Sequence, residues 1–133
     1  MKIRRKHIGK SLKFKNMFII RKEFAFSASH KLEGLPKEHP CSNLHGHNYV
    51  VTIELASEGI NEVGFVVDYR KLDPIKHWID GVLDHKHLND VLEFNPTAEN
   101  MAFYIFNMFN STFPLLIAVE VSETPKTSAR YEC

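Results

Sequence analysis

The chain has 133 residues, of which 44% are hydrophobic and 25% are charged, the balance expected of one globular domain with a single core. Its formal net charge of +1 gives no reason to expect a nucleic-acid or membrane partner. No apolar run approaches the roughly 20 residues that a membrane-spanning helix needs.

Basic residues are concentrated at the start of the chain. Residues 1–16 contain seven Lys or Arg and no acid, which leaves 10 basic and 16 acidic residues in the rest. We expect a flexible basic N-terminal extension over residues 1–16 and one domain over residues 17–133. Two cysteines, Cys41 and Cys133, are too few to indicate a secreted disulfide framework, so we expect a reduced, cytoplasmic setting.

Two long strands are predicted in the first half of the chain. Within residues 18–32, apolar and polar side chains alternate, which is typical of a strand with one buried face. The residues on that face are Phe24, Phe26, Ala28 and His30. One glycine and two prolines indicate a loop over residues 33–44. Residues 45–57 alternate again, with His45 and His47 on the same face as the apolar side chains.

Two helices are predicted in the second half. Residues 70–83 have apolar side chains at helical spacing, and Asp73-Pro74 fits a helix start. A polar loop over residues 84–90 follows, and Thr97 is the expected N-cap of the second helix, which Pro114 ends. The remaining predicted strands cover residues 64–69, 115–123 and 129–132.

This order of elements predicts an α+β domain, ββααββ, with an antiparallel sheet and two helices on one face. Two helices can cover only one face of such a sheet. We therefore expect the other face, or the sheet edges, to be covered by association with further copies of the chain.

Three histidines are candidates for a metal site. His45 and His47 are two residues apart on a strand, so their imidazoles share a face, and His30 ends the matching row of the preceding strand. Three neutral imidazoles suit zinc and leave a fourth position open, as in catalytic zinc sites. The alternatives are histidines that bind no metal, and a closed structural site in which Cys41 supplies the fourth ligand.

Further polar residues are candidates for catalysis and binding. Cys41 lies in a polar loop just before the H-x-H pair, and a thiol beside a metal cation ionises more readily, so it can act as nucleophile, base or ligand. Asp84 can orient the imidazole of His85 for proton transfer, with His87 as a rival for that role. Glu123, at the end of an apolar strand, can bind a guanidine-like edge through two parallel hydrogen bonds.

Five short motifs occur together in order along the chain. They are F-S-A-S-H ending at His30, C-S-N-L-H-G-H from Cys41 to His47, L-D-H-x-x-L-N from Leu83 to Asn89, P-T-A-E-N from Pro96 to Asn100, and S-E-T from Ser122 to Thr124. Jointly they resemble the 6-pyruvoyl-tetrahydropterin synthase family, and most closely its bacterial 6-carboxytetrahydropterin synthase branch, from about Phe18 to Tyr131. A related bacterial group that serves folate synthesis has a carboxylate in place of the thiol, and Cys41 argues against that group.

The resemblance implies the tunnelling fold, in which ββααββ subunits form a trimeric barrel and two trimers stack into a hexamer, with active sites between subunits. It also implies a role for each candidate residue. The implied ligands of Zn2+ are His30, His45 and His47, the implied catalytic residues are Cys41, Asp84 and His85, and the implied pterin-binding residues are Glu123, Thr97 and Glu99. In this scheme Cys41 is the general base, and Glu123 anchors the pterin ring.

The implied reaction converts 7,8-dihydroneopterin triphosphate into 6-carboxy-5,6,7,8-tetrahydropterin, acetaldehyde and triphosphate, a lyase step of queuosine biosynthesis without a redox cofactor. Lys31 and Lys126 are candidates for binding the triphosphate. Three alternatives stay open: a 6-pyruvoyl-tetrahydropterin synthase with the same catalytic residues, a non-catalytic zinc-stabilised binding module, and a zinc hydrolase, which no H-E-x-x-H motif supports.

Overall fold

The computed structural model describes residues 16–133, so the predicted basic extension over residues 1–16 falls outside it except for Asn16. In chain order the strands and helices are β1 (Phe18–His30), β2 (His45–Ser57), α1 (Asp73–Trp78), β3 (Lys86–His87), α2 (Leu88–Val91), α3 (Ala98–Phe109), β4 (Leu116–Thr124) and β5 (Thr127–Glu132). None of the helices in this described part is long and apolar enough to cross a membrane.

The five strands form one sheet in the order β3-β1-β2-β4-β5. The pairs β1–β2, β2–β4 and β4–β5 are antiparallel, as predicted. At one edge the prediction of a purely antiparallel sheet is wrong, because β3 runs parallel to β1 beside Ala28 and Ser29. The short parallel ladder begins where the backbone N–H of His85 donates to the Ser27 carbonyl oxygen at 2.6 Å.

The predicted helix over residues 70–83 is confirmed as a helical segment with three successive geometries. A 3-10 turn covers Tyr69–Leu72, α1 follows, and a π-helical turn covers Ile79–Leu83. The π turn ends where Asp84 donates its N–H to the carbonyl oxygen of Ile79, five residues earlier. Thr97 is the N-cap of α3, as predicted.

Two short segments differ from the prediction. Residues 64–68 form bends rather than a strand, and Tyr69 begins a 3-10 turn. The side-chain oxygen of Asn61 accepts three successive backbone N–H groups, and two of them belong to the segment predicted to pair in a sheet. The donors are Val63, Gly64 and Phe65, at 3.0 Å each. Residues 84–90, predicted as a loop, contain β3 and the start of α2, which the fully buried Leu88 holds against the core.

The hydrophobic core lies between one face of the sheet and the helices. From the sheet it includes Phe24, Phe26, Tyr49, Val51, Ile53, Val119 and Val121, and from α3 it includes Met101, Ala102, Ile105, Phe106 and Phe109. The rings of Phe26 and Tyr49 stack with centroids 4.7 Å apart. The same alternation continues to the paired ends of β1 and β2, where His30, His45 and His47 replace apolar side chains. The histidines therefore lie at one end of the core.

The opposite face of the sheet carries a charged network centred on the buried carboxylate of Glu54. Arg130 Nη2 lies 2.8 Å from one oxygen of Glu54, and Arg21 Nη1 lies 3.4 Å from the other. The hydrogen bond from Arg130 lowers the pKa of Glu54, with a smaller contribution from the charge of Arg21. The buried negative charge of Glu54 on this face is thus neutralised by the two arginines.

Candidate metal centre and active site

The structure brings the three predicted histidines together. The register of β1 and β2 puts His30 opposite His45 and Ala28 opposite His47, so the three rings project from the same face. A ligand nitrogen from each lies within 4.8 Å of the others, and the Nε2 atoms of His30 and His45 are 3.0 Å apart. His30 is fully buried, whereas the other two rings are half-buried.

Hydrogen bonds to backbone carbonyls orient two of these rings. His30 Nδ1 donates to the Pro96 oxygen at 2.9 Å, and His45 Nδ1 donates to the Asn43 oxygen at 2.7 Å. Because each neutral ring carries its proton on Nδ1, the unprotonated Nε2 atoms of His30 and His45 face each other. Two facing lone pairs repel unless a cation lies between them.

The third ring, His47, also indicates a site for a cation. His47 Nε2 is buried and makes no hydrogen bond within residues 16–133. An unsatisfied buried polar atom costs about 1–3 kcal/mol, which a bound cation would remove. Three converging imidazole nitrogens, one of them without a partner, form a donor set that fits a metal ion.

Burial favours the neutral form of His30 and His47. It is the largest cause of the lowered pKa of His30, against which the hydrogen bond to Pro96 acts, and the charge of His45 adds to the lowering. Burial also lowers the pKa of His47, although the nearby carboxylate of Glu123 acts in the opposite direction. Neutral imidazole is the form that binds metals.

Glu123 reaches the same site from β4. Val121 pairs with Val51 of β2, so Glu123, two residues later, points to the face that carries the histidines. Its two carboxylate oxygens lie 3.9 Å from His30 Nε2 and 3.9 Å from His47 Nε2, which is too far for hydrogen bonds. The carboxylate therefore borders the metal site and can face a bound molecule.

Cys41 lies on a 3-10 turn, Pro40–Ser42, and its side chain is half-buried. Its sulfur is not part of the three-histidine group, so the structure gives no support to a closed metal site with Cys41 as fourth ligand. The backbone of Cys41 is held on both sides: its N–H donates to His39 Nδ1 at 3.0 Å, and its carbonyl oxygen accepts the N–H of Leu32 at 2.9 Å.

Asp84 and His85 form a hydrogen-bonded pair at the edge of β1. One oxygen of Asp84 accepts the Ser27 N–H at 2.9 Å, the other lies 2.9 Å from His85 Nδ1, and both contacts lower the pKa of Asp84. The backbone of His85 has a φ of 60°, which is uncommon outside glycine, and its side chain is 83% exposed. His85 is therefore the partner of Asp84, whereas His87 contacts the Ser29 hydroxyl at 2.9 Å.

An open groove of about 520 Å³ lies beside His85, and its wall includes Ser27, Ser29 and Asn48, which point away from the face that carries the histidine rings. Its lining includes His47, His85 and Lys86. Lys31 and Lys126, the lysines predicted to meet a triphosphate, do not line it, and Lys126 borders a separate cavity. Lys86 is therefore the lysine that this groove offers to an anionic group.

The structure does not bring Thr97 and Glu99 into the three-histidine group. Thr97 accepts the Asn100 N–H at the start of α3, and Glu99 is exposed in the first turn. The residue of this segment that does contact the site is Pro96, which sequence reasoning missed. A backbone carbonyl carries no signal in residue type, so only the position of Pro96 inside the P-T-A-E-N motif pointed to it.

Over residues 19–133 the sequence matches the family described as 6-pyruvoyl tetrahydropterin synthase. The chain belongs to this family. A 6-carboxy-5,6,7,8-tetrahydropterin synthase from Synechocystis sp. is 38% identical over 125 residues, which cover 86% of this chain and 93% of that protein. The Bacillus subtilis protein of the same name is 31% identical over 129 residues, covering 86% and 84%.

A solved structure supports the same family. The 6-pyruvoyl tetrahydropterin synthase of Caenorhabditis elegans superposes with a TM-score of 0.77 at 29% identity, covering 92% of this chain and 99% of that one. The predicted tunnelling-fold subunit is thus confirmed. The trimeric barrel and the hexamer concern assemblies of several chains and stay predictions.

Proposed function

We propose that the chain is a metal-dependent pterin synthase that converts 7,8-dihydroneopterin triphosphate into 6-carboxy-5,6,7,8-tetrahydropterin, acetaldehyde and triphosphate. The observation that carries this proposal is the convergence of three imidazole nitrogens beside the carboxylate of Glu123. Such a site offers an open metal position for oxygen atoms of a substrate and an acceptor for a ring that carries N–H groups. The relative that is 38% identical is a 6-carboxytetrahydropterin synthase, which supports the choice of product.

We infer that the resident ion is Zn2+, held by His30, His45 and His47. Three neutral imidazoles with an open fourth position are a ligand set of catalytic zinc sites. When bound there, zinc would polarise the side-chain hydroxyls of the substrate and make them more acidic. The carbonyl groups of Asn43 and Pro96 keep two of the rings oriented for this task.

The remaining residues bind the substrate and move protons. Glu123 accepts two N–H groups from the guanidine-like edge of the pterin, which orients the ring. Cys41, as a thiolate, removes a proton from the substrate side chain. His85, with Nδ1 directed at ionised Asp84, exchanges a proton through Nε2. Triphosphate then leaves by elimination. A water molecule adds to the side-chain carbonyl next to the ring, and cleavage of the adjoining carbon–carbon bond leaves the carboxyl group and, after protonation of the departing carbon, releases acetaldehyde.

We propose that these groups meet between the subunits of a homo-oligomer. The imidazole of His85 is exposed and available to a neighbouring chain, as is Glu99, which together with Thr97 would line a neighbour's pterin pocket. Within residues 16–133, the β1 edge facing away from β2 pairs with β3 only at Ala28 and Ser29. Closure of that edge against β5 of another copy would give the trimeric barrel. Light scattering should then report six times the 15.4 kDa chain.

The assignment is tested by incubating zinc-loaded protein with 7,8-dihydroneopterin triphosphate and identifying the products by mass. We expect equal amounts of 6-carboxytetrahydropterin and acetaldehyde. A Cys41→Ala variant should keep its metal and lose turnover. Failure of the wild-type protein to consume this substrate would refute the proposal, and loss of both metal and fold in Cys41→Ala would indicate a zinc-stabilised binding module instead.

A second candidate is a 6-pyruvoyl-tetrahydropterin synthase. The similarity to the Caenorhabditis elegans protein of that name favours it, and the same catalytic residues would serve. The same incubation separates the two activities, because a 6-pyruvoyl product would appear without acetaldehyde.

A further inference from the structure

Two asparagine side chains hold the segment that follows β1. Asn89 Oδ1 accepts the N–H of Lys31 at 2.9 Å, and Asn89 Nδ2 donates to the carbonyl oxygen of the same residue at 2.8 Å. Asn95 makes the same pair of bonds with Glu33, at 2.9 and 3.1 Å. The two amides thus take the place of a neighbouring strand just beyond the short ladder between β1 and β3.

We call these hydrogen bonds, from Asn89 to Lys31 and from Asn95 to Glu33, the clamp. Backbone alternation connects the clamp to Cys41. In an extended chain the N–H and C=O groups of Lys31 and Glu33 point to one side, and those of Leu32 point to the other. The N–H of Leu32 donates to the Cys41 carbonyl oxygen at 2.9 Å. The clamped segment therefore holds Cys41 on one side of its peptide, while His39 holds the other.

The clamp also adjoins the metal site. Asn95 precedes Pro96, whose carbonyl oxygen accepts the Nδ1 proton of His30 at 2.9 Å. Two consecutive residues thus orient a metal ligand through the backbone and hold the Cys41 segment through a side chain. A displacement of Asn95 and Pro96 would change the position of the Cys41 thiol relative to the three-histidine site.

We propose that Asn89 and Asn95 are positioning residues that set the Cys41 thiol at its working distance from the three-histidine site. The effect of this positioning on catalysis rests on the proposed function, whereas the hydrogen bonds of the clamp are observed in the structure. Replacing either amide by alanine removes two hydrogen bonds and leaves that part of the segment to water. A misplacement of about 1 Å at a reacting group lowers the rate by about a hundredfold.

The experiment compares Asn89→Ala, Asn95→Ala and the double variant with Asn107→Ala. Asn107 is a matched control, because its amide donates to the Phe103 carbonyl oxygen within α3 at 2.8 Å. We expect kcat to fall about tenfold in each single variant and about a hundredfold in the double variant, while KM and zinc content stay within about twofold. The control should match the wild type.

Amide hydrogen exchange gives a second readout that needs no turnover. The Leu32 N–H should exchange faster in the clamp variants, because the peptide that carries it is no longer fixed. An unchanged exchange rate at Leu32 would overturn the proposal. So would lower thermal stability with unchanged kcat per zinc-loaded chain. If the wild-type protein consumes no pterin substrate, the proposed function fails, and exchange at Leu32 still decides for or against the clamp.

Discussion

Replacing Glu54 with glutamine tests whether burial or distance decides the strength of an ion pair in this sheet. Arg130 contacts two carboxylates: Glu54 at 2.8 Å through Nη2 and Glu132 at 2.6 Å through Nε. The side chain of Glu54 is 8% exposed and that of Glu132 is 63% exposed. Glu132→Gln is therefore a matched control that removes the negative charge from the shorter contact, at the more exposed position.

The expected cost follows from the surroundings of each pair. Removing one partner of a buried ion pair costs about 3–5 kcal/mol, and an exposed pair contributes about 0.2–1 kcal/mol. The side chains of Arg130 and Arg21 are 37% and 51% exposed, so water screens the pairs, and we reduce the cost of Glu54→Gln to about 2 kcal/mol. For a chain of this length that lowers Tm by about 8 °C. Glu132→Gln should cost less than about 0.5 kcal/mol.

The cost should also depend on pH. The pKa of Glu54 in the folded chain is below its usual value of 4.5, chiefly because of the hydrogen bond from Arg130. A carboxyl group of this kind stabilises the fold above its unfolded pKa, and the contribution is lost as the pH falls through the folded pKa. The difference between Glu54→Gln and wild type should be complete at pH 7 and shrink below about pH 4.5.

Urea unfolding followed by circular dichroism, at one fixed protein concentration, measures both effects. The concentration must be held constant because oligomerisation shifts apparent stability. Equal decreases in the free energy of unfolding of Glu54→Gln and Glu132→Gln would refute the argument that burial decides the strength of the ion pair. A cost of Glu54→Gln that is the same at neutral and acidic pH would refute the assignment of that cost to the ionised carboxylate.

Three further predictions concern the site. Gly46→Ala should weaken zinc binding, measured by competition with a chelator. Gly46 lies between the two ligands His45 and His47, and its new Cβ would be 3.3 Å from the Ala28 carbonyl oxygen. Gly59→Ala is the control, because a Cβ there has nothing within 4 Å, and it should leave zinc binding unchanged. Asp84→Asn should lower kcat about ten- to a hundredfold in steady-state assays with KM unchanged, because the imidazolium of His85 loses its counter-charge; an unchanged kcat would remove Asp84 from the mechanism. His85→Asn should unfold at higher urea than His85→Ala, because asparagine tolerates a φ of 60° better, and equal midpoints would contradict this.

The histidine cluster could be predicted because it depends on local rules. Alternation along a strand puts His45 and His47 on one face, and two long consecutive strands commonly pair, which brings His30 to them. The same reasoning placed the Thr97 cap and the main strands. These features need only the spacing of residue types along the chain.

The parts that were missed depend on contacts between distant segments. The Pro96 oxygen is 66 positions from His30, and Asn95 is 62 positions from Glu33, so both contacts exist only after the helices have packed on the sheet. The failed strand over residues 64–69 has a different cause. Its apolar pattern was real, but Asn61 binds the N–H groups of Gly64 and Phe65, the first two residues of the predicted strand.

The hydrogen bond between His30 and Pro96 has a consequence for the order of events during synthesis. The ribosome completes β1 and β2, with all three histidines, long before it adds the carbonyl that orients the first of them. A nascent chain can therefore expose three imidazoles while lacking the group that sets the His30 tautomer. Binding of the proposed metal ion in the native geometry then requires the finished, packed chain, and earlier binding would occur with a ligand set that is still free to rotate.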